Sequence, residues 1–138
     1  MKETYILDAC ALIAVLAGES GAENVKKIIQ EAIDGNVTIR INQINLLEVY
    51  YKVFNVYGQV KANKAIEKIK EFPIEIIVGL KEKVFYEAGR IKSKYKIPLG
   101  DSIVAAECIF GQGILVTSDH NDFIKIEEAE RIKIHWFR

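Results

Sequence analysis

Hydrophobic positions along the chain alternate between short runs and longer stretches with helical spacing. Runs at 5–7, 37–41, 74–78, 114–117 and 132–136 predict five strands. Between them, the spacing predicts helices at about 10–17, 20–33, 45–57, 60–71, 80–95 and 101–110, and a short helix near 121. This alternation indicates an α/β fold: a three-layer α/β/α arrangement with a mostly parallel central sheet. No linker or composition shift interrupts the chain, so we expect a single domain over residues 1–138.

Polar residues mark where several of these helices begin. Ser20 and Glu23 have the spacing of a capping box at the start of the second helix, and Asn45 and Glu48 have a similar spacing in the third. Residues 98–100 predict a turn, after which Asp101 opens a helix.

Composition excludes several classes of protein. Half of the residues are hydrophobic, which is too many for a disordered chain. No apolar run reaches the ~18 residues that a membrane span requires. The apolar run 9–17 follows an aspartate and lacks a basic leader, so it does not predict a signal peptide. The two cysteines, Cys10 and Cys108, form no disulfide framework or metal motif; we expect reduced thiols and a cytoplasmic protein.

The acidic residues suggest where chemistry takes place. Of the five aspartates, only Asp34 lies in a helix-ending turn. Asp8 ends the first predicted strand and Asp119 follows the fourth, so both belong at the edge where open parallel sheets bind ligands. Asp101 begins the helix that leads to the fourth strand, so it belongs at the opposite edge unless the turn at 97–100 carries it round, and topology alone does not decide its place. Glu48 has apolar neighbours, which makes its burial costly without a partner.

Each carboxylate also has a purely structural interpretation. Aspartate is a frequent helix N-cap, so Asp8, Asp101 and Asp119 can each be explained as a cap. Glu48 can be explained as the second half of a capping box with Asn45. A shared site explains the residues together, because clustered carboxylates need compensation and a hard divalent cation such as Mg²⁺ supplies it. The candidate metal-binding and catalytic set is Asp8, Glu48, Asp101 and Asp119.

Four segments resemble motifs of a known family, the PIN domains, and among these the small, single-domain VapC-type ribonuclease toxins. In chain order the segments are Tyr5-Ile6-Leu7-Asp8 with the following 9–13, Asn45-Leu46-Leu47-Glu48-Val49, Pro98-Leu99-Gly100-Asp101 with the following 102–106, and 115–123 around Asp119. Each motif is short, but the four occur in family order across nearly the whole chain.

The resemblance implies a metal-dependent endoribonuclease of a VapBC-type toxin–antitoxin pair. It implies that Asp8, Glu48, Asp101 and Asp119 share one pocket and hold Mg²⁺ or Mn²⁺, with support from Thr117 and Asp122. It also implies cleavage to a 5′-phosphate and a 3′-hydroxyl, a homodimer, and a small antitoxin that blocks the site. Cys10 departs from the family, which often has Ser, Thr or Asn there; a thiol is a poor hydrogen-bond donor.

The charge distribution is uneven, although the net charge is zero. Residues 52–96 contain eleven lysines and arginines against five glutamates, a basic segment suited to RNA or to solvation of helix surfaces. An aromatic stripe on the third helix has the spacing of a base-stacking face or of a packing face, and we expect packing. The stripe is Tyr50, Tyr51, Phe54 and Tyr57.

Two other functions compete with the nuclease. A phosphatase of the haloacid-dehalogenase kind also has an aspartate after the first strand, but it needs a second acid where Cys10 stands. A catalytically weak or inactive PIN-like RNA-binding or scaffold domain stays open. Replacing Asp8 or Asp101 by Asn, and testing for loss of RNA cleavage with RNA binding retained, separates these alternatives.

Overall fold

Five parallel strands form the centre of the protein in the computed structural model, which describes residues 2–138. The strands are β1 (Glu3–Leu7), β2 (Val37–Asn42), β3 (Ile74–Ile77), β4 (Ile114–Thr117) and β5 (Lys133–Trp136). Their order across the sheet is β3-β2-β1-β4-β5. The sheet is therefore entirely parallel, where the sequence predicted a mostly parallel one. β1 lies at its centre, with Tyr5 opposite Ile39 of β2 and Ile114 of β4.

Seven helices connect and cover the strands. They are α1 (Ala9–Ala17), α2 (Ala22–Ile33), α3 (Gln43–Tyr57), α4 (Gln59–Glu71), α5 (Glu82–Lys94), α6 (Leu99–Gly111) and α7 (His120–Ala129). None of them, within residues 2–138, combines the length and apolarity needed to cross a membrane.

The two faces of the sheet carry separate hydrophobic cores, which confirms the three-layer α/β/α prediction. Leu7 and Val116 pack with α1 to α4, whereas their chain neighbours Ile6 and Leu115 pack with α6 and α7. This alternation follows from the pleat, because successive side chains of a strand point to opposite faces. Burial on both faces explains why these strands are apolar throughout.

Both predicted capping boxes are wrong. α2 is preceded by Gly21, at φ 83°, and Ser20 makes no side-chain cap. A Cβ on Gly21 would lie 2.5 Å from the Phe137 carbonyl oxygen, so contact with the C-terminal segment determines this turn. α3 begins directly after β2, and Asn42, not Asn45, caps it by accepting from the Ile44 amide at 2.9 Å.

Candidate metal centre

Asp8 occupies the junction between β1 and α1. Its Oδ1 accepts from the Ala9 amide at 2.9 Å, which makes it the N-cap of α1, as its structural interpretation predicted. Its Oδ2 accepts from the Thr117 hydroxyl at 2.9 Å and from the Cys10 thiol at 3.5 Å. The side chain is buried, and these donors fix the carboxylate in place.

Thr117 joins Asp8 to Asp119 across the two central strands. The buried Thr117 hydroxyl donates to Asp8 and accepts from the Asp119 amide at 3.1 Å. Asp119 is also an N-cap, because its Oδ1 accepts from the Asp122 amide at 3.2 Å. Since β1 and β4 are neighbours, the ends of both strands present a carboxylate at one edge of the sheet.

Asp101 reaches the same edge by a different route. α6 starts at Leu99, two residues earlier than predicted, so Asp101 lies within its first turn and does not cap it. The start of α6 is tied to α3, because Asn45 Nδ2 donates to the Gly100 carbonyl at 3.0 Å. Oxygens of Asp101 and Asp119 lie within 4.8 Å of each other, so the turn before α6 carries Asp101 to this edge, which is the alternative that topology had left open.

Glu48 meets Asp101's neighbour Gly100 at close range. A Cβ on Gly100 would lie 2.8 Å from Glu48 Oε1, so a side chain at position 100 would displace Glu48 or the helix start. The other oxygen, Oε2, lies 2.8 Å from Lys52 Nζ, one turn further along α3. Glu48 is therefore paired with a cation of its own chain at one oxygen and faces Gly100 with the other.

The tightest grouping of carboxylates is not the set predicted from the sequence. Oxygens of Asp101, Asp119 and Asp122 lie within 4.8 Å of one another. Asp122, which the resemblance implied only as support, belongs to this grouping, whereas Asp8 and Glu48 flank it. We refer to the five residues together as the acidic pocket: Asp8, Glu48, Asp101, Asp119 and Asp122.

The carboxylates raise one another's pKa values. Burial, then the charges of Asp8, Asp119 and Asp122, raises the pKa of Asp101 to about 10. Burial raises the pKa of Asp8 to about 6, with a further contribution from the charge of Glu48, although its hydrogen bond from Thr117 opposes the rise. The pKa of Asp119 is also raised, mainly by burial and by Asp122. These directions are what crowded carboxylates with insufficient positive charge produce.

The donor set fits a hard divalent cation. One oxygen of Asp101, Oδ2, is buried and has no hydrogen-bond partner, which is rare for a buried polar atom. Carboxylate oxygens are the ligands that Mg²⁺ and Mn²⁺ prefer, and a cation would satisfy this one. Asp101, Asp119 and Asp122 are therefore the residues best placed to hold a metal, with Asp8 beside them.

Cys10 is a weak but specific neighbour of the pocket. Its thiol lies 3.5 Å from both Asp8 Oδ2 and the Thr117 hydroxyl. Burial, then the charge of Asp8, raises the pKa of this thiol to about 12, so it stays protonated and serves as a donor. The other cysteine, Cys108, is buried and free, as expected of a reduced thiol.

The contacts of three residues around the pocket were not predicted from the sequence. They are Asn45, Lys52 and Gly100. Asn45 is fully buried in an otherwise apolar helix face, and its Oδ1 has no partner. That burial was hidden because Asn45 resembled a cap. Gly100 resembled an ordinary turn residue, and Lys52 was one of many lysines in the basic segment. The spacing of Glu48 and Lys52 was the one signal that predicts an ion pair along a helix.

Most of the aromatic stripe lies outside the core of the chain, so packing at a dimer face is the part of the packing expectation that stays a prediction. Tyr51, Phe54 and Tyr57 are 48%, 40% and 54% exposed. Beside Tyr57 runs a groove of about 910 Å³ between α1, α3 and α4. Its walls include apolar residues such as Leu16 and four lysines, Lys52, Lys61, Lys64 and Lys68.

The PIN domain family matches residues 5–129, most of the chain. The chain belongs to the PIN domain family. No curated protein matches the chain in sequence.

Solved structures of toxin–antitoxin proteins share the fold. VapBC2 from Rickettsia felis, bound to a promoter DNA fragment, has a chain 19% identical with a TM-score of 0.72, covering 96% of this chain and 97% of that one. DNA-bound VapBC from Salmonella typhimurium has a chain 14% identical to this one, with a TM-score of 0.75 and full coverage of both chains. VapBC-1 from nontypeable Haemophilus influenzae has a chain 19% identical to this one, with a TM-score of 0.71, and the match covers 97% of this chain and 98% of that one. At these identities the similarity shows the fold alone.

Proposed function

We propose that the protein is a metal-dependent endoribonuclease, a single PIN-like domain that acts as the toxin of a VapBC-type toxin–antitoxin pair. One observation carries the proposal: Asp101 Oδ2 is buried without a partner, in a residue whose oxygens lie within 4.8 Å of those of Asp119 and Asp122. Uncompensated carboxylates at this density call for a cation. The fold shared with VapBC proteins supports the assignment to a toxin.

The residues of the pocket divide the work. Asp101 and Asp119, with Asp8 and Asp122 beside them, hold Mg²⁺ or Mn²⁺. A divalent ion held by these residues would supply Lewis-acid chemistry, polarising the phosphodiester and lowering the pKa of a water. Thr117 keeps Asp8 oriented by donating to its Oδ2 at 2.9 Å. Glu48 Oε1, which is not engaged by Lys52, is the acceptor available to orient the attacking water.

Cleavage in this way leaves a 5′-phosphate and a 3′-hydroxyl. The chemistry needs no cysteine or histidine nucleophile. His120, next to Asp119, is engaged elsewhere: its ring stacks on Trp136 with centroids 4.1 Å apart, and Nε2 lies 2.9 Å from the Arg138 carbonyl oxygen. Lysines around the groove and on α5 offset the negative charge that an acidic pocket presents to RNA.

Two uncovered apolar surfaces support protein partners. One is the groove beside α3 and α4, with Tyr57 and Val56 exposed at 54% and 71%. The other lies on and around α5, where Phe85 and Tyr86 are 58% and 68% exposed. Exposed patches of this kind mark interaction sites. We propose an antitoxin and a second copy of the chain as the partners, acting in the cytoplasm on cellular RNA.

The proposal is tested by sequencing RNA ends. Purified protein is incubated with total RNA in Mg²⁺, in Mn²⁺ or in EDTA, and new 5′-phosphate ends are mapped. We expect discrete cuts with either metal and none in EDTA. Asp101→Asn abolishes the cuts, whereas Asp34→Asn, the same change at an exposed helix end, leaves them unchanged.

RNA binding is measured in parallel by fluorescence anisotropy. If the wild-type protein binds RNA but does not cut it in any divalent metal, the nuclease proposal is wrong and the RNA-binding scaffold takes its place. If cleavage persists in EDTA and in Asp101→Asn, it does not depend on the proposed metal site.

A further inference from the structure

Lys52 is a cation already present at the edge of the acidic pocket. Its Nζ lies 2.8 Å from Glu48 Oε2, and the two residues are one turn apart on α3. The Glu48 side chain is only 19% exposed, so the pair lies partly out of water, where opposite charges attract more strongly than on an open surface. The Lys52 side chain is 50% exposed and reaches the carboxylate from the rim.

Glu48 is set apart from the tight grouping of carboxylates. Asp101, Asp119 and Asp122 bring their oxygens within 4.8 Å of one another, and Glu48 is not among them. Asp101 also supplies the buried oxygen without a partner. The pocket therefore has two sides: one with three crowded and uncompensated carboxylates, and one with a single carboxylate whose charge is already balanced. Asp8 is coupled to both sides, because its charge acts on Asp101 and the charge of Glu48 acts on it.

We propose that the pocket takes one divalent cation, on the side of Asp101, and that Lys52 supplies the positive charge on the side of Glu48 where a second divalent ion would otherwise bind. This inference rests on the metal binding of the proposed function and defines its stoichiometry. A second ion at Glu48 would have to displace an ammonium group from the same carboxylate and would be repelled by it. Lys52 is thus a positioning residue, because it acts through Glu48.

The pairing also determines which oxygen of Glu48 is available. Lys52 engages Oε2, and Oε1 faces Gly100, next to Asp101. Holding one oxygen of a carboxylate fixes the direction of the other. Without Lys52, both oxygens of Glu48 are free to turn toward a metal, and the second side of the pocket becomes a cation site.

The number of bound ions tests the inference without any RNA. Titration of the metal-free protein with Mn²⁺, followed by calorimetry and by electron paramagnetic resonance, gives ions per chain. We expect one Mn²⁺ for the wild type. Lys52→Met gains a second Mn²⁺, bound at least ~tenfold more tightly than any second event in the wild type. Adding Glu48→Gln to Lys52→Met returns the count to one.

Lys61→Met is the matched control. Lys61 lines the same groove, and its Nζ lies over the Tyr57 ring at 5.2 Å, so this change removes the same charge away from Glu48. We expect it to leave the count at one. In RNA cleavage, Lys52→Met requires more Mn²⁺ than the wild type and recovers at saturating Mn²⁺, a shift that a merely structural role for Lys52 would not produce.

Three results would overturn the inference: two Mn²⁺ in the wild type, none in the wild type, or the same count and affinity in Lys52→Met as in the wild type. Lys52→Gln serves if Lys52→Met does not fold, and the wild-type count stands on its own. A protein that shows the expected counts yet never cuts RNA refutes the proposed nuclease and leaves this stoichiometry intact. RNA cleavage by a wild-type protein that binds two Mn²⁺ ions refutes this stoichiometry and leaves the proposed nuclease intact.

Discussion

Two clusters of acidic side chains in this protein have opposite electrostatics. In the acidic pocket, burial and like charges raise the pKa of Asp101 to about 10. Around Glu130, hydrogen bonds from Arg90 and Tyr95 outweigh burial and lower the pKa of that carboxyl to about 2. The second cluster, which we call the ion network, consists of Glu87, Arg90, Lys94, Tyr95 and Glu130.

Contacts explain the difference. Glu130 is 8% exposed at its side chain and accepts from Tyr95 at 2.7 Å and from Arg90 Nη2 at 2.5 Å. Asp101 is similarly buried, yet its Oδ2 has no donor. Removing one partner of a buried, paired carboxylate destabilises the fold, whereas a buried carboxylate without a partner already reduces stability and remains available to a ligand.

The largest expected effect comes from Asp101→Asn. It removes a metal ligand, so RNA cleavage falls by at least ~100-fold. The metal-free fold disfavours the ionised form of Asp101, and an amide avoids that cost, so the metal-free protein gains about 1–2 kcal/mol in unfolding free energy. Initial cleavage rates and urea denaturation measure the two effects. Asp34→Asn is the control for both. A lower stability would show that Asp101 is compensated in the folded protein.

Glu130→Gln is the opposite experiment. It leaves Arg90 and Tyr95 without their charged acceptor, so we expect a loss of about 1–3 kcal/mol in unfolding free energy. Cleavage activity of the folded protein stays near wild type. Glu128→Gln, at an exposed position of α7 two residues before Glu130, is the control and leaves the urea midpoint unchanged. A loss of activity as large as that of Asp101→Asn would mean that the two clusters are coupled.

The pH dependence of stability separates the clusters. Because the pKa values of Asp8 and Asp101 are raised in the folded state, the folded protein binds more protons than the unfolded chain, and stability rises as the pH falls from 8 to 5. The pKa of Glu130 is lowered, so its contribution is complete above its unfolded value of ~4.3 and is lost as the pH falls toward 2.

Thermal melting of the metal-free protein from pH 3 to 8 measures this dependence, and we expect a maximum near pH ~4.5–5. Saturating Mn²⁺, which binds ionised carboxylates, reverses the slope above pH 5. A melting temperature that rises with pH in the absence of metal would contradict the raised pKa values.

The smallest expected effect is that of Cys10→Ser. A hydroxyl is a stronger donor to Asp8 Oδ2 than the thiol that lies 3.5 Å from it, so the pKa of Asp8 falls and Mn²⁺ binds more tightly, by less than ~tenfold. Calorimetry at pH 6 gives the change. Thr117→Val, which removes the 2.9 Å hydrogen bond, shifts the affinity in the other direction. Equal affinities in all three proteins would mean that these donors do not tune Asp8.

Local sequence pattern predicted much of the fold because strands buried on both faces are apolar throughout. It also predicted that Asp8 and Asp119 share an edge, since both follow strands of one parallel sheet. The position of Asp101 in the pocket could not be predicted from local pattern alone. Its place depends on where α6 begins and on the hydrogen bond from Asn45 to Gly100, which are contacts between distant segments. The caps at Ser20 and Asn45 failed for the same reason, because tertiary contacts moved the helix starts.

The hydroxyl of Thr117 joins the carboxylate of Asp8 to the backbone amide of Asp119, two residues that lie more than a hundred positions apart in the chain. A chain that contains only the first 116 residues has Asp8, Glu48 and Asp101 but lacks Thr117, Asp119 and Asp122. The acidic pocket is therefore complete only when the segment that follows β4 is present, and Asp8 lacks its hydrogen bond from Thr117 until then.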